Sequence, residues 1–265
     1  MNLPGLAQLN IELSARCNAA CGWCGHQNPK TNPDIVHAGD IDFALLNHIA
    51  AQLPMGLVCQ FHRDGEPLMY PRLGDALRLF EGQIRSIVTN GIKLAERSDE
   101  IIGNCEAVCV SVADGLAHAD KQRRAFEAFV EERENRLPRT IAKFVGEVDE
   151  VVQDWWWVRA DTTITRRLHA PQRNAHYRGG PPGRWEHGLC ADLLSHPSID
   201  WKGDLYLCNR LDPTGVRRLG SLREKSLAEL WNGTERAAVI RAHIEGRADK
   251  HHACHGCSYR GLPAV

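Results

Sequence analysis

The stretch SARCNAACGWCGHQ, residues 14–27, holds Cys17, Cys21 and Cys24 in C-x3-C-x2-C spacing. It follows AQLNIEL, residues 7–13, whose apolar and polar residues alternate as in a half-buried strand. Three thiols on one loop after a strand are an unusual number. A tetrahedral zinc site asks for four ligands, and His26 is the nearest candidate for a fourth. A cubane [4Fe–4S] cluster is held by cysteine thiolates, one per iron. Three cysteines would leave its fourth iron open to another ligand.

Outward from that loop, strand-like and helix-like segments alternate. DFALLNHIAAQL, 42–53, has helical spacing with Asp42 at its start, and LVCQFH, 57–62, reads as a strand ended by RDGEP. RLGDALRLF, 72–80, is helical, and RSIVTN, 85–90, is a strand closed by Asn90-Gly91. AVCVSVA, 107–113, is a strand, and HADKQRRAFEAFVEERENR, 118–136, is a charged amphipathic helix. RTIAKFV, 139–145, and DWWWVRA, 154–160, read as two further strands around a short helix-like piece. In that reading Trp155, Trp156 and Trp157 point alternately to opposite faces of a strand. About six such alternations predict an α/β protein, a partial (β/α)6 TIM barrel rather than a closed one. Chemistry in such folds sits at the C-terminal ends of the strands, where the cysteine loop, the GEP turn and the TNG turn all fall.

The pattern changes after residue 160. Residues 161–189 lack periodicity and contain a GGPPG breaker, and they read as a bridging segment. Arg159, Arg166, Arg167, Arg173, Arg178 and Arg184 run through and just before it. They suit a solvated basic linker or, if turned inward, an anionic substrate. SHPSIDWKGDLYLCNR, 195–210, reads as a β-hairpin turning at Lys202-Gly203-Asp204. SLAELWNGTERAAVIRAHIEG, 226–246, is helical with an interruption at Asn232-Gly233. The expected domains are 1–160, a barrel, and 190–265, a small hairpin and helix extension.

Composition narrows the class. The chain has 265 residues, 43% of them hydrophobic, enough for one large domain with an appendage. Basic and acidic residues number 32 and 33, which gives no electrostatic case for nucleic acid or a membrane surface. No 18-residue apolar run is present, and the first fourteen residues do not read as a signal peptide. Ten cysteines clustered towards the two ends favour metal or redox use in a cytoplasmic protein over a disulfide framework. Cys59, Cys105 and Cys109 fit buried structural thiols. Cys190, Cys208, Cys254 and Cys257 flank the hairpin and end the chain in C-x2-C, a set suited to zinc or to one iron–sulfur cluster. His251, His252 and His255 beside the terminal pair read as loop residues.

The first motif, with Trp23 before its last cysteine, closely resembles that of the radical S-adenosylmethionine (SAM) enzymes. Gly65-Glu66-Pro67 after the second strand resembles that family's SAM amino-group turn. Ser111 at the end of the fourth strand resembles its ribose-contacting position, and Asn90 stands at the neighbouring strand end. The resemblance covers about residues 7–160. It implies that Cys17, Cys21 and Cys24 hold a SAM-binding [4Fe–4S] cluster. It also implies SAM contacts at Trp23, Gly65, Glu66, Pro67, Asn90 and Ser111.

The second set, with SLAELWN between its members, resembles the Twitch domain, the short form of the SPASM extension. That implies an auxiliary [4Fe–4S] cluster on Cys190, Cys208, Cys254 and Cys257, fully ligated and suited to electron transfer. Together the resemblances imply an oxidoreductase served by an external reductant such as flavodoxin or ferredoxin. Its layout is similar to that of Twitch-bearing aminocyclitol dehydrogenases, which implies a two-electron oxidation of a small polar substrate, anionic if the arginines face it. Relatives that crosslink or epimerise ribosomally made peptides supply a second expectation. A non-catalytic iron–sulfur electron carrier is a third, separable because it has no use for SAM.

Overall fold

A computed structural model describes residues 2–21, 24, 38–166, 189–210, 212, 215–255 and 257. The barrel half runs β1 (Gln8–Ile11), α1 (Phe43–Ala50), β2 (Val58–Phe61), α2 (Leu73–Leu79), β3 (Ile84–Thr89), α3 (Ser98–Ile101), β4 (Ala107–Val112), α4 (Ala119–Arg133), β5 (Arg139–Val145), α5 (Glu150–Trp157) and β6 (Thr162–Arg166). The C-terminal part runs α6 (Ala191–Ser195), β7 (Ser198–Ile199), β8 (Asp204–Tyr206), β9 (Arg218–Ser221), α7 (Leu227–Trp231) and α8 (Thr234–Ile244). All nine strands form one sheet in the order β6-β5-β4-β3-β2-β1-β7-β8-β9. Strands β1 to β6 are parallel neighbours, and among the described residues the sheet does not close.

Strand alternation divides the sheet into two faces. Leu9 and Ile11, Cys59 and Phe61, Val108 and Val110, and Ala142 and Phe144 point outward beneath the helices. Leu46 and Ile49 of α1, Leu73 and Leu77 of α2, and Phe126 and Phe129 of α4 cover them. This apolar layer is the main core. The other face, carrying Gln8, Asn10, Gln60, Ser86, Ser111 and Lys143, is polar and forms the lumen.

One sequence reading is overturned. Residues 150–157 form helix α5, and the sixth strand is Thr162–Arg166, past the expected end of the barrel at 160. The tryptophans therefore do not alternate across a strand. Asp149 caps the helix, its carboxylate accepting from Val151 N at 2.9 Å. Trp156 is fully buried, with its ring centroid 4.6 Å from that of Phe126. Trp157 is 66% exposed. Helical geometry brings Val152, Trp155 and Trp156 to one face, which satisfies more apolar area than a strand would. Asp149→Ala is expected to cost about 1 kcal/mol of stability, the usual worth of an N-cap. Denaturant unfolding of the variant checks it; an unchanged midpoint would show that the tertiary contacts of Trp156 alone hold α5.

The C-terminal hairpin is where its sequence placed it. β7 and β8 pair antiparallel around Lys202-Gly203. β7 also lies parallel to β1, with Asn10 opposite Ser198 and Ile11 opposite Ile199. The extension thus continues the barrel sheet on the β1 side. The helical segment breaks at Asn232-Gly233, and α7 carries a reciprocal capping box between Ser226 and Glu229. Leu227 N donates to Gln52 Oε1 at 2.7 Å, and Trp231 Nε1 to Pro4 O at 3.0 Å, fastening the extension to the barrel half.

Candidate functional site

The described ends of β1, β2 and β3 meet at one mouth. Gly65 of the GEP turn lies against the backbone at the base of the cysteine loop. A Cβ there would stand 2.0 Å from Ser14 O and 2.6 Å from Ala15 Cα, so only glycine fits. Glu66 N donates to Arg16 O at 2.9 Å. The other side of the loop base is held by Ala15 N donating to Gly39 O at 2.9 Å and by the Arg16–Asp40 ion pair. The loop that carries Cys17 is therefore clamped by two neighbouring segments.

The Glu66 carboxylate is turned into the protein. It accepts from Leu68 N at 3.0 Å, Thr89 Oγ1 at 2.7 Å and Asn90 N at 2.8 Å. Burial pushes it up to about 6, against the opposing pull of those three hydrogen bonds. It links the GEP turn to the TNG turn. Asn90 continues the chain of contacts, its Nδ2 donating to Asn18 Oδ1 at 2.8 Å and lying 3.7 Å from Cys17 Sγ. Ser111 sits on the lumen face of β4, opposite Lys143. Trp23 and His26 lie outside the described residues, as do Arg167, Arg173, Arg178 and Arg184.

Burial pushes the Cys17 and Cys21 thiols up to about 11, and each is pushed further by its cysteine neighbours. Cys24 N donates to Cys21 O at 2.9 Å. The three half-buried thiols are close enough to influence one another. As thiols they carry protons there, and a cationic metal cluster would stabilise the thiolates.

The second set of cysteines converges. Cys190, Cys208, Cys254 and Cys257 line a single pocket with Leu193 and Leu207 as apolar wall. Burial pushes Cys208 up to about 11 and Cys254 up to about 12. Arg210 and Arg217 also border the cavity, where their charges favour thiolate. Arg217 Nε donates to Ala253 O at 2.9 Å, and Arg210 pairs with Asp192 at 2.8 Å. His243 of α8 places Nε2 3.4 Å from Cys254 Sγ. Among the described residues no three His, Cys, Asp or Glu side chains are placed to hold a single metal ion. Four thiols around a shared void suit a cluster, whose irons spread the ligands apart. Cys59, Cys105 and Cys109 are buried elsewhere, and His251 and His252 stack on each other.

Sequence reading missed Glu12. It is buried beyond the end of β1. One carboxylate oxygen accepts from Asp64 N and Gly65 N, both at 3.2 Å; the other accepts from Trp201 N at 3.2 Å. It binds the GEP turn to the C-terminal hairpin, so one side chain couples both cysteine regions through their supporting turns. The available signal was an acid at the end of the alternating AQLNIEL run. His243 carried no signal at all, because it stands on α8, eleven positions before Cys254 and outside the C-x2-C spacing.

Residues 190–258 match the SPASM family, an iron–sulfur cluster-binding domain. By sequence, none of the curated proteins matches the chain. Among solved structures, BtrN in complex with AdoMet and 2-DOIA is similar at a TM-score of 0.64 and 15% identity, over 95% of this chain and 92% of that one. SuiB of Streptococcus suis bound to S-adenosylmethionine is similar at a TM-score of 0.57 and 17% identity, over 89% and 68%. SuiB bound to its precursor peptide SuiA gives 0.55 and 16%, over 89% and 67%. At these identities the likeness is one of fold. It extends over 95% of this chain for BtrN, so it spans the barrel and the extension together. Residues 190–258 thus match a SPASM-type iron–sulfur cluster-binding domain, and the open partial barrel that they continue shares its fold with BtrN and SuiB.

Proposed function

We propose that this protein is a radical SAM oxidoreductase that removes two electrons from a small polar substrate. The observation that carries the reading is the joint placement of two cysteine sets: Cys17, Cys21 and Cys24 on a clamped loop at the barrel mouth, and four cysteines around one cavity in an extension continuous with β1. Cys17, Cys21 and Cys24 would hold a [4Fe–4S] cluster with one open iron, and Cys190, Cys208, Cys254 and Cys257 a second, fully ligated one. When bound, the first cluster and SAM supply a one-electron reductive cleavage that yields a 5′-deoxyadenosyl radical able to take a hydrogen atom.

The chain's own residues supply position. Gly65 lets the GEP backbone approach the cysteine loop, and Glu66 fixes that turn to Asn90. Because the Glu66 carboxylate is filled by protein donors, SAM contacts at Gly65, Glu66 and Pro67 fall to the backbone of the turn. Asn90 Nδ2, beside Cys17, and Ser111, on the lumen face, flank the same space. The cluster that Cys190, Cys208, Cys254 and Cys257 would hold is suited to take the electron left on the substrate after hydrogen-atom abstraction, and an external low-potential reductant such as flavodoxin or ferredoxin would supply the electron that cleaves SAM.

A second reading keeps the radical chemistry and gives it a peptide. The likeness to SuiB bound to SuiA supports it, together with β6, which among the described residues pairs only with β5 and leaves an open edge. Identifying the product, beside counting 5′-deoxyadenosine and electrons consumed, separates the two, because a peptide crosslink is itself a two-electron oxidation. An oxidation gives one deoxyadenosine per product and returns an electron to the enzyme. A redox-neutral product, such as an epimer, contradicts the oxidoreductase reading.

A further inference from the structure

The lumen beneath the mouth has a charge pattern that the cysteine clusters do not use. His62 continues β2, its N donating to Ile11 O at 3.1 Å, and alternation from Gln60 turns its ring inward. Its Nδ1 is buried and has no hydrogen-bond partner among the described residues. Lys143 of β5 faces the same space, and its side chain makes no hydrogen bond or ion pair with a described residue. Arg166 of β6 stands next to it in the parallel register, one step along. His196, just after α6, reaches in from the other side and places Nε2 2.7 Å from Asn10 Oδ1.

Among the described residues, the acids nearby are already engaged. Glu12 holds the backbone of Asp64, Gly65 and Trp201, and Asp192 pairs with Arg210 and His196. The inward positions of β2 to β6 carry no carboxylate. Burial and the charges of Lys143, Arg166 and His196 hold the His62 imidazole well below its ordinary range. Burial and Arg166 lower Lys143, against the opposing influence of Cys109. The three basic groups therefore repel one another across a partly desolvated space, and an anion placed among them relieves that repulsion.

We propose that this face of the lumen, His62 with Lys143 and Arg166 and with His196 at its rim, binds an oxyanion of the substrate, a phosphate or a carboxylate. The inference rests on the radical SAM reading for its view of the lumen as the substrate chamber. It narrows the small polar substrate to an anionic one and assigns the selection to the barrel wall, to which Arg166 alone of the expected bridging arginines contributes, as the last residue of β6.

The test is calorimetric titration of the iron-loaded protein with sulfate and, separately, acetate, each with and without saturating SAM. Sulfate stands for a tetrahedral dianion and does not titrate near neutral pH; acetate stands for a carboxylate. One anion per chain is expected to bind in the presence of SAM, and whichever probe binds more tightly names the source. Lys143→Met should weaken it at least about tenfold, as expected for loss of a charge-assisted contact, and Lys143→Arg should restore part of the loss. Binding should draw in a proton near pH 7, read from buffers of different ionisation enthalpy, and His62→Gln should abolish that uptake. Iron content and SAM affinity should stay unchanged in all three variants. No anion binding, or equal affinity in Lys143→Met, would overturn the proposal. So would competition between anion and SAM, because the basic face would then hold the carboxylate of SAM itself. Failure of SAM to bind at all, with the anion still bound, would instead count against the radical SAM reading and leave the oxyanion site standing.

Discussion

Gly65→Ala is expected to destabilise the protein by about 3 kcal/mol or more and to abolish SAM binding. The added methyl carbon would meet Ser14 O at 2.0 Å and Ala15 Cα at 2.6 Å, both backbone atoms that no rotamer change can move. Overpacking of side chains alone costs about 1–3 kcal/mol, and here the chain itself must shift. The shift would break the Glu66 N to Arg16 O bond and the Glu12 contacts to Asp64 N and Gly65 N. The base of the cysteine loop would then lose its clamp. Denaturant unfolding and SAM equilibrium dialysis on the iron-loaded variant read the two effects. Wild-type stability would mean that the turn and the loop base are not in the contact described here.

Replacing Cys254 and Cys257 together by alanine is expected to remove half of the iron and nearly all oxidised product, while SAM cleavage stays measurable. Two of the four thiols around the cavity would be gone, too few to hold a cubane. The loop at the mouth lies on other elements and keeps its three cysteines. Iron and sulfide analysis should fall from about eight of each per chain to about four. Circular dichroism guards against simple unfolding, since Ala253 and Cys254 pack with Leu193, Leu207 and Val239. Unchanged product yield would deny the second cluster an electron-accepting role.

The parallel sheet was legible because its strands are short alternating or apolar runs ended by turn residues, and β5 at Arg139–Val145 coincides with its sequence reading. The placement of chemistry was legible for a similar reason. The cysteine loop, GEP and TNG each follow a strand, and the sheet order brings β1, β2 and β3 side by side. The misreading at residues 154–160 arose from three tryptophans, a residue type favoured in strands. Asp149 and the i, i+3, i+4 spacing of Val152, Trp155 and Trp156 decided for a helix once Phe126 was available to pack against.

Long-range pairings carried no local signature. Nothing in SHPSID announces that Ser198 lies beside Asn10, and nothing in Glu12 announces that it reaches Trp201 N. The role of Glu66 was half legible. Its turn sits where expected, yet its carboxylate serves Thr89 and Asn90 rather than open space, a fact fixed only by the register of β2 and β3. His62 and Lys143 were passed over because a single basic residue in a strand ending or interior is ordinary until three of them face one lumen.

The central claim is that Cys17, Cys21 and Cys24 leave one iron free for SAM. It is tested most directly by mixing anaerobically reconstituted, reduced protein with SAM and measuring 5′-deoxyadenosine and methionine, beside a variant with all three cysteines changed to alanine. The wild type is expected to form both products slowly even without substrate, and the triple variant to form none while keeping the iron of the second set. No deoxyadenosine from the wild type, as for a simple electron carrier, or equal amounts from both proteins, would contradict it.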